Sequence, residues 1–431
     1  MRERRVLLSA YACEPGLGSE AGIGWNWAVQ AARANRVVVL TRENNVERCV
    51  AEARALGLEE RLAFVGFDLP RWARKWKRGG RGAVPYFYLW QLALARRARE
   101  LDRVHDFDVV HHVTFASSWI PSGLAALGKP FVWGPIGRHP RVPARFLAHG
   151  GWRARAAELA KEACKRACVV ADPFLARTQR EADVVLAIRP EDAEELPEPA
   201  RSRALPFLAC GTEAEPVAPQ RFERRAGFEV VFAGRLVDLK GPRLALEAFA
   251  HLAERAPEAR LAFLGEGPLT PALAARAKEL GLAERVELAG RLPRAEVLAR
   301  LARSDVFLFP SFEGAGMVVV EAMAAGNPVV CLDCGGPASM TDPRGPAPRG
   351  LVAPVGATFD TTAAGLGDAL LRLHADEALR SRLARSACAW ALEHATWDAK
   401  GARLDAFYAL AEERRALRAR AANGASGREA A

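Results

Sequence analysis

Four charged residues in the second half of the chain are spaced to grip an anionic, hydroxyl-rich ligand. The apolar run Phe228 to Ala233 reads as a strand and leads into Gly234-Arg235-Leu236-Val237-Asp238-Leu239-Lys240-Gly241-Pro242, after which a helix is expected. A diphosphate there would meet the bidentate guanidinium of Arg235, the point charge of Lys240 and the unsatisfied N–H groups of a helix start. A pair of solvated surface cations is the ordinary alternative. The second segment runs from the apolar stretch Asp305 to Phe309 into Pro310-Ser311-Phe312-Glu313-Gly314-Ala315-Gly316-Met317-Val318-Val319-Val320-Glu321. Gly314 and Gly316 let backbone approach a ligand closely, and a helix opening near Gly316 offers further N–H groups. Such a helix leaves Glu313 in the loop and carries Glu321 inside it, so the two carboxylates reach different ends of one ligand.

In the first half, the stretch Gly16 to Gly24 joins a strand to a helix with Gly18 and Ser19 at its start. It can touch a phosphate or a second substrate, and a tight connection would need glycine in any case. The strand Asp108 to Val113 ends in His111-His112-Val113-Thr114-Phe115, which places an imidazole at the carboxyl edge of a sheet. Either histidine could equally be structural.

The elements that position these groups alternate. Apolar runs at Arg5 to Ala12, Arg36 to Thr41, Leu62 to Phe67, Asp108 to Thr114, Pro130 to Trp133, Ala182 to Ile188 and Ala204 to Leu208 are separated by helix-patterned stretches, including a basic one around Trp152 to Ala171. That alternation predicts an α/β fold with a parallel sheet. The pattern restarts at Phe228 and continues through Arg260 to Leu264, Arg285 to Leu288, Asp305 to Phe309, Pro328 to Leu332 and Gly350 to Pro354. We therefore expect a Rossmann-like domain over 1–210, a linker over 211–227, a second Rossmann-like domain over 228–396, a helix over 397–420 packing back toward the first domain, and a disordered tail over 421–431. Ligands of such sheets lie beyond the carboxyl ends of the strands, so two domains of this kind are expected to face a central cleft.

Composition narrows the classes. Half of the 431 residues are hydrophobic and 26% are charged, as in a globular protein. The apolar run Val6 to Ala12 is too short for a signal-peptide core or a membrane span, which makes a cytoplasmic location the expectation. The eight cysteines show no disulfide framework, and Cys331-Leu-Asp-Cys334 lacks a companion pair, so no metal site is assigned. Asp106-Phe107-Asp108 spells a metal-binding Asp-x-Asp, yet its place just before a strand favours a turn. The net charge of +10 calls for an anionic partner, with no nucleic-acid-binding signature present. Arg71-Trp72-Ala73-Arg74-Lys75-Trp76-Lys77-Arg78 has the composition of a segment lying in an anionic membrane interface, against the alternative of solvated charge around core tryptophans.

With Arg235 and Lys240 followed by Glu313 and Glu321 in Pro-Ser-Phe-Glu-Gly-Ala-Gly-Met…Glu-Ala-Met-Ala, the chain resembles glycosyltransferase family 4, whose fold is GT-B. The likeness is close in the second half. It is looser in the first, where Ala12-Cys13-Glu14-Pro15-Gly16-Leu17-Gly18-Ser19-Glu20…Gly24-Trp25-Asn26-Trp27-Ala28 is similar to a subset of bacterial members. The resemblance implies a retaining glycosyltransferase that uses a nucleotide-sugar donor, with no metal or other cofactor. Carried over, Arg235 and Lys240 bind the donor diphosphate, Glu313 the transferred sugar and Glu321 the ribose. Gly234, Gly314, Ala315, Gly316, Met317 and Val318 complete the donor site, and Arg291 and Leu292 lie near the base. Gly16, Gly18, Ser19, His111, His112 and Thr114 line the acceptor or phosphate side, with His112 near the transferred sugar. Ala315 stands where the family usually has Phe, which leaves more room for the sugar. A glycan or lipid-linked acceptor fits the positive charge. An inactive nucleotide-sugar-binding or membrane-scaffold protein of the same fold, or a sugar-nucleotide epimerase, are the alternatives.

Overall fold

The computed structural model describes residues 2–75, 82–138, 140–147, 152–213 and 227–429. It divides into two units, Met1–Gly137 with Ala160–Ala209 and Trp397–Ala431, and Arg138–Leu159 with Cys210–Thr396.

The first unit holds the strands β1 (Arg5–Ser9), β2 (Arg36–Thr41), β3 (Leu62–Gly66), β4 (Val109–His112), β5 (Phe131–Ile136), β6 (Val184–Ala187) and β7 (Ala204–Pro206), in the order β3-β2-β1-β4-β5-β6-β7. All pairings are parallel. Every residue of β4, β5 and β6 is buried, which is why these strands read as continuous apolar runs rather than as alternations. The helix Ala83–His105 lays Phe87, Trp90, Leu94 and Ala98 on one face of the sheet.

The C-terminal helix, Trp397–Glu429, belongs to this unit. Buried Asp183 anchors it: the carboxylate accepts hydrogen bonds from Arg415 Nε at 2.9 Å, Arg418 Nη1 at 2.8 Å and the Phe131 N–H at 3.0 Å. The helix runs on to Glu429, whereas composition predicts a stop near residue 420 and a disordered tail over 421–431. Ala421, Ala422 and Ala425 carry no helix-propensity cost and Arg428 and Glu429 little, so the segment extends the preceding helix despite Gly424 and Gly427 at about 1 kcal/mol each.

The second unit holds β8 (Phe228–Ala233), β9 (Ala259–Leu264), β10 (Val286–Gly290), β11 (Val306–Phe309), β12 (Val329–Leu332) and β13 (Gly350–Ala353), all parallel, in the order β10-β9-β8-β11-β12-β13. In each sheet the strand order reverses beside the first strand, between β1 and β4 and between β8 and β11. Those two places are where an open α/β sheet offers its ligand crevice.

Arg138–Leu159 packs into the second unit, although it falls inside the expected first domain of 1–210. The cause is an aromatic anchor. Phe146, 3% exposed, has its ring 5.4 Å from that of Phe312 and 6.0 Å from that of Phe359, and Arg145 donates to the Gly356 carbonyl at 2.7 Å. Of the expected linker 211–227, residues 214–226 lie outside the described residues, and Thr212 N–H donates to the Ala395 carbonyl at 2.8 Å. Among the described residues no helix is long and apolar enough to cross a membrane. Of the segment expected at a membrane interface, Trp76, Lys77 and Arg78 lie outside the described residues. Arg71–Arg74 is a short helix whose Trp72 is 62% exposed, beside Lys75, with Arg74 paired to Glu43 at 3.1 Å.

Candidate functional site

The loops after β8 and β11 meet at the reversal point of the second sheet. Gly234 leaves β8 at φ +146°, and the Lys240 side chain lies where a Cβ on that glycine would stand, 3.0 Å from Lys240 Cδ. A single 3-10 turn, Asp238–Lys240, then brings the chain to Gly241, at φ +67°. A Cβ at Gly241 would lie 2.1 Å from the Pro310 carbonyl oxygen, so the β8 and β11 loops can touch only through glycine. The Phe312 N–H donates to the Leu239 carbonyl at 2.8 Å, and the Glu313 N–H to Ser311 Oγ at 3.2 Å. This lacing delivers Lys240 Nζ to Glu313 Oε2 at 2.9 Å, with the ammonium 5.1 Å from the centre of the Phe309 ring. Both partners are about one-sixth exposed, 17% and 16%. Arg235 stands exposed at the mouth of the same loop.

The helix Met317–Ala324 opens after Gly316 and carries Glu321 into the interior. Desolvation pushes the Glu321 carboxyl above the usual carboxylate range, and Arg294 opposes the shift with Nε at 3.1 Å and Nη2 at 3.0 Å. Arg294 also lies 3.7 Å from Glu213. Sequence reasoning misses Arg294, although it directly follows Gly290-Arg291-Leu292-Pro293 and begins the helix Arg294–Leu301. Arg291 is exposed and Leu292 half-buried on the turn before it.

A second unforeseen element supports the loop from behind. At the start of the helix Gly335–Thr341, the Gly336 N–H donates to the Glu313 carbonyl at 2.9 Å. A Cβ on Gly336 would lie 2.2 Å from the Gly314 carbonyl oxygen and 2.7 Å from Ala315 Cα. The signal is present in Gly335-Gly336 shortly after a strand, but nothing in one sequence says which loop such a pair supports.

The reversal point of the first sheet is built otherwise. Gly16 (φ +72°) and Gly18 have open space around them, and Ser19 begins the helix Ser19–Ala32 at φ +63°. Thr114, expected to line this side, is fully buried, and its Oγ1 accepts the Ala12 N–H at 3.1 Å, which makes it a brace between the loops after β1 and β4. His111 is a core residue rather than a loop residue. Its Nδ1 lies 3.1 Å from Tyr408 Oη, its Nε2 2.8 Å from the Gly134 carbonyl, and Trp27 packs edge-on against it. His112, on the opposite face of the strand, is 1% exposed, with Nε2 3.1 Å from the Thr114 carbonyl. The strand turns into its loop one residue later than the histidines, so neither imidazole reaches the surface. Asp106 and Asp108 bind Lys129 and Arg5 at the opposite, amino-terminal edge of the sheet.

Burial holds both histidines neutral, with values pushed down to about 4. An unfolded histidine takes up its proton near pH 6.5, so on acidification the unfolded chain binds protons before the fold does. Stability present above about pH 6.5 is therefore lost progressively as pH falls toward about 4. Melting temperatures followed across that window should fall, and His112→Asn should flatten the fall. An unchanged slope in the variant would mean that His112 is not held neutral.

Residues 219–390 match the family model of glycosyl transferases group 1. The chain is 31% identical over 221 residues to a GDP-mannose-dependent alpha-(1-6)-phosphatidylinositol monomannoside mannosyltransferase of Mycolicibacterium smegmatis, covering 47% of this chain and 56% of that protein. It is 33% identical over 211 residues to a D-inositol 3-phosphate glycosyltransferase of Mycobacteroides abscessus, covering 47% and 45%. The chain thus spans about half the length of the curated relatives it matches. Among solved structures it resembles the sucrose-phosphate synthase of Thermosynechococcus elongatus, with a TM-score of 0.64 at 17% identity over 94% of this chain and 98% of that one. Anabaena HepE in complex with UDP gives 0.60 at 16% identity over 93% and 98%. The fold is therefore GT-B, as the two parallel sheets indicate.

Proposed function

We propose that the chain is a retaining, metal-independent glycosyltransferase of family 4 that moves a sugar from a nucleotide-sugar donor to a glycan or lipid-linked acceptor. The observation that carries this is the Lys240–Glu313 pair at the sheet's reversal point, on the loop that also carries Arg235, with Glu321 about one turn into the helix Met317–Ala324. Transfer requires charge to develop on a departing diphosphate. Fixed cations and the N–H groups preceding the helix Met317–Ala324 stabilise that charge, and preorganised electrostatic stabilisation of this kind does most of the catalytic work in many group transfers. Glu313 takes the sugar hydroxyls and Glu321 the ribose, with the backbone of Gly314, Ala315 and Gly316 against the phosphates. Arg291 and Leu292 lie beside the base.

The relatives' names, which refer to a phosphatidylinositol mannoside and an inositol phosphate, support an acceptor that is phosphorylated or lipid-borne. Exposed Trp72 among Arg71, Arg74 and Lys75 supports contact with an anionic membrane surface where such an acceptor is presented. The test is saturation-transfer NMR with UDP-, GDP- and ADP-sugars, without added metal, on the wild type and on Arg235→Ala/Lys240→Ala. One nucleotide sugar should bind the wild type and not the double variant. Equal binding by both, or none by either, removes the donor-site assignment and favours a scaffold.

A further inference from the structure

Phe115 is an anomaly that the donor site does not use. It sits directly after Thr114 at the carboxyl end of β4, beside the reversal point of the first sheet, and it is 43% exposed. Its φ is +55°, a conformation that a bulky residue adopts only when its surroundings impose it. Among the described residues the other non-glycine residues at positive φ are Ser19, Asp106 and Asp342. The two aspartates close helices, where that conformation is ordinary for Asp. Ser19 and Phe115 are the remaining two, and they lie on the loops on either side of the reversal point.

The restraints on Phe115 are visible. Its N–H donates to Glu20 Oε2 at 3.0 Å, and Thr114, one residue earlier, is tied to Ala12. Behind the ring stand Tyr11, edge-on at 5.4 Å, and Phe87, tilted at 5.4 Å, both buried. An aromatic ring is thus backed by a packed aromatic wall while part of it stays in solvent. Holding a bulky residue in an unfavourable backbone conformation costs stability, and such outliers cluster where a ligand is held.

The neighbours specify that ligand. The Phe115 N–H is the one hydrogen-bond partner of the Glu20 carboxylate among the described residues, and the other carboxylate oxygen can accept from a hydroxyl. Gly16 and Gly18 leave open space on the adjacent loop, and the ring contacts of Phe115 among the described residues are to Tyr11 and Phe87 rather than to a cation. A flat apolar face beside an acceptor carboxylate suits a saturated ring that carries C–H bonds on one face and hydroxyls at its rim. We propose that Phe115 and Glu20 form a stacking platform for a hydroxylated six-membered ring, a pyranose or a cyclitol, on the first unit. That the ring is the sugar acceptor rests on the glycosyltransferase reading; that the platform binds a ring does not.

The test uses the full chain and saturation-transfer NMR with methyl α-D-mannopyranoside, methyl α-D-glucopyranoside and myo-inositol as separate probes, which distinguishes a pyranose from a cyclitol. At least one probe should receive saturation, mainly at its ring C–H protons. Phe115→Ala and Phe115→Leu should weaken it by about 2- to 10-fold, the worth of an aromatic face, while Phe115→Trp retains it. Glu20→Gln should weaken it as well, and Gly365→Ala, in the helix Phe359–Ala375 of the second unit, should leave it unchanged. Nucleotide-sugar binding is measured on the same samples. Rings that bind through Phe115 when no nucleotide sugar binds would uphold the platform and remove the glycosyltransferase reading. Nucleotide sugars that bind when no probe does, or when Phe115→Leu matches the wild type, would overturn the platform alone.

Discussion

Lys240→Ala should lower kcat/KM for the donor by about 10²- to 10³-fold, the usual cost of removing one preorganised group that faces developing charge. The geometry argues for the upper end. Lys240 is held 2.9 Å from Glu313, so its removal deletes a cation and also leaves an unpaired carboxylate beside the expected diphosphate. That carboxylate would repel a diphosphate bound beside it. Glu313→Ala works differently: it frees Lys240 for the phosphates, so donor binding survives while turnover is abolished. The double variant Lys240→Ala/Glu313→Ala then separates the two contributions. Relief of repulsion predicts tighter donor binding than in Lys240→Ala alone, so the two substitutions are strongly non-additive in binding. Arg235→Ala, which breaks no pair with Glu313, should cost less than Lys240→Ala. Steady-state kinetics together with donor titrations on the four variants decide this, and additive losses would mean that the Lys240–Glu313 pair plays no part in the site.

The strands were legible because buried parallel strands are short apolar runs, and each run such as Val329–Leu332 is bounded by a turn residue. Their ends were less legible. Arg5 to Ala12 reads as strand throughout, yet pairing stops at Ser9, because Tyr11 turns its ring into the aromatic cluster with Phe87 and Trp90. The charged residues of the candidate site stand out because types and spacing are local in sequence. The contacts among them do not. Lys240 and Glu313 are 73 positions apart, and only the order β8-β11 makes them neighbours. Arg294 and Glu321 meet for the same kind of reason. The histidines failed in the opposite sense: a polar residue at the end of an apolar run looks like a ligand-facing group, whereas the partners that bury His111, Tyr408 and Trp27, lie far away in sequence on helices that periodicity alone does not dock. Phe146 shows the same limit at the scale of a domain, since the boundary it shifts depends on Phe312 and Phe359, both in the other half of the chain.

Gly336→Ala should disable the site while leaving the fold standing. The methyl group would begin 2.2 Å from the Gly314 carbonyl oxygen and 2.7 Å from Ala315 Cα, both backbone atoms that no rotamer change can move aside. The loop must shift outward, and with it Glu313, whose carbonyl accepts the Gly336 N–H. A displacement of about 1 Å in a positioning group costs about 10²-fold in turnover, and overpacking of this kind costs roughly 1–3 kcal/mol of stability. For a unit of this size that is a fall in melting temperature of about 2–12 °C. Gly365→Ala is the matched control. It lies in the helix Phe359–Ala375, and its added Cβ would meet only the Ala353 side chain at 3.5 Å, an ordinary contact. That variant should be unchanged or stabilised by about 0.4–1 kcal/mol through the loss of unfolded-state freedom. Turnover of Gly336→Ala equal to that of Gly365→Ala would show that the loop geometry set by Glu313, Gly314 and Ala315 does not govern the chemistry, and that the grip of the helix Gly335–Thr341 on this loop serves packing alone.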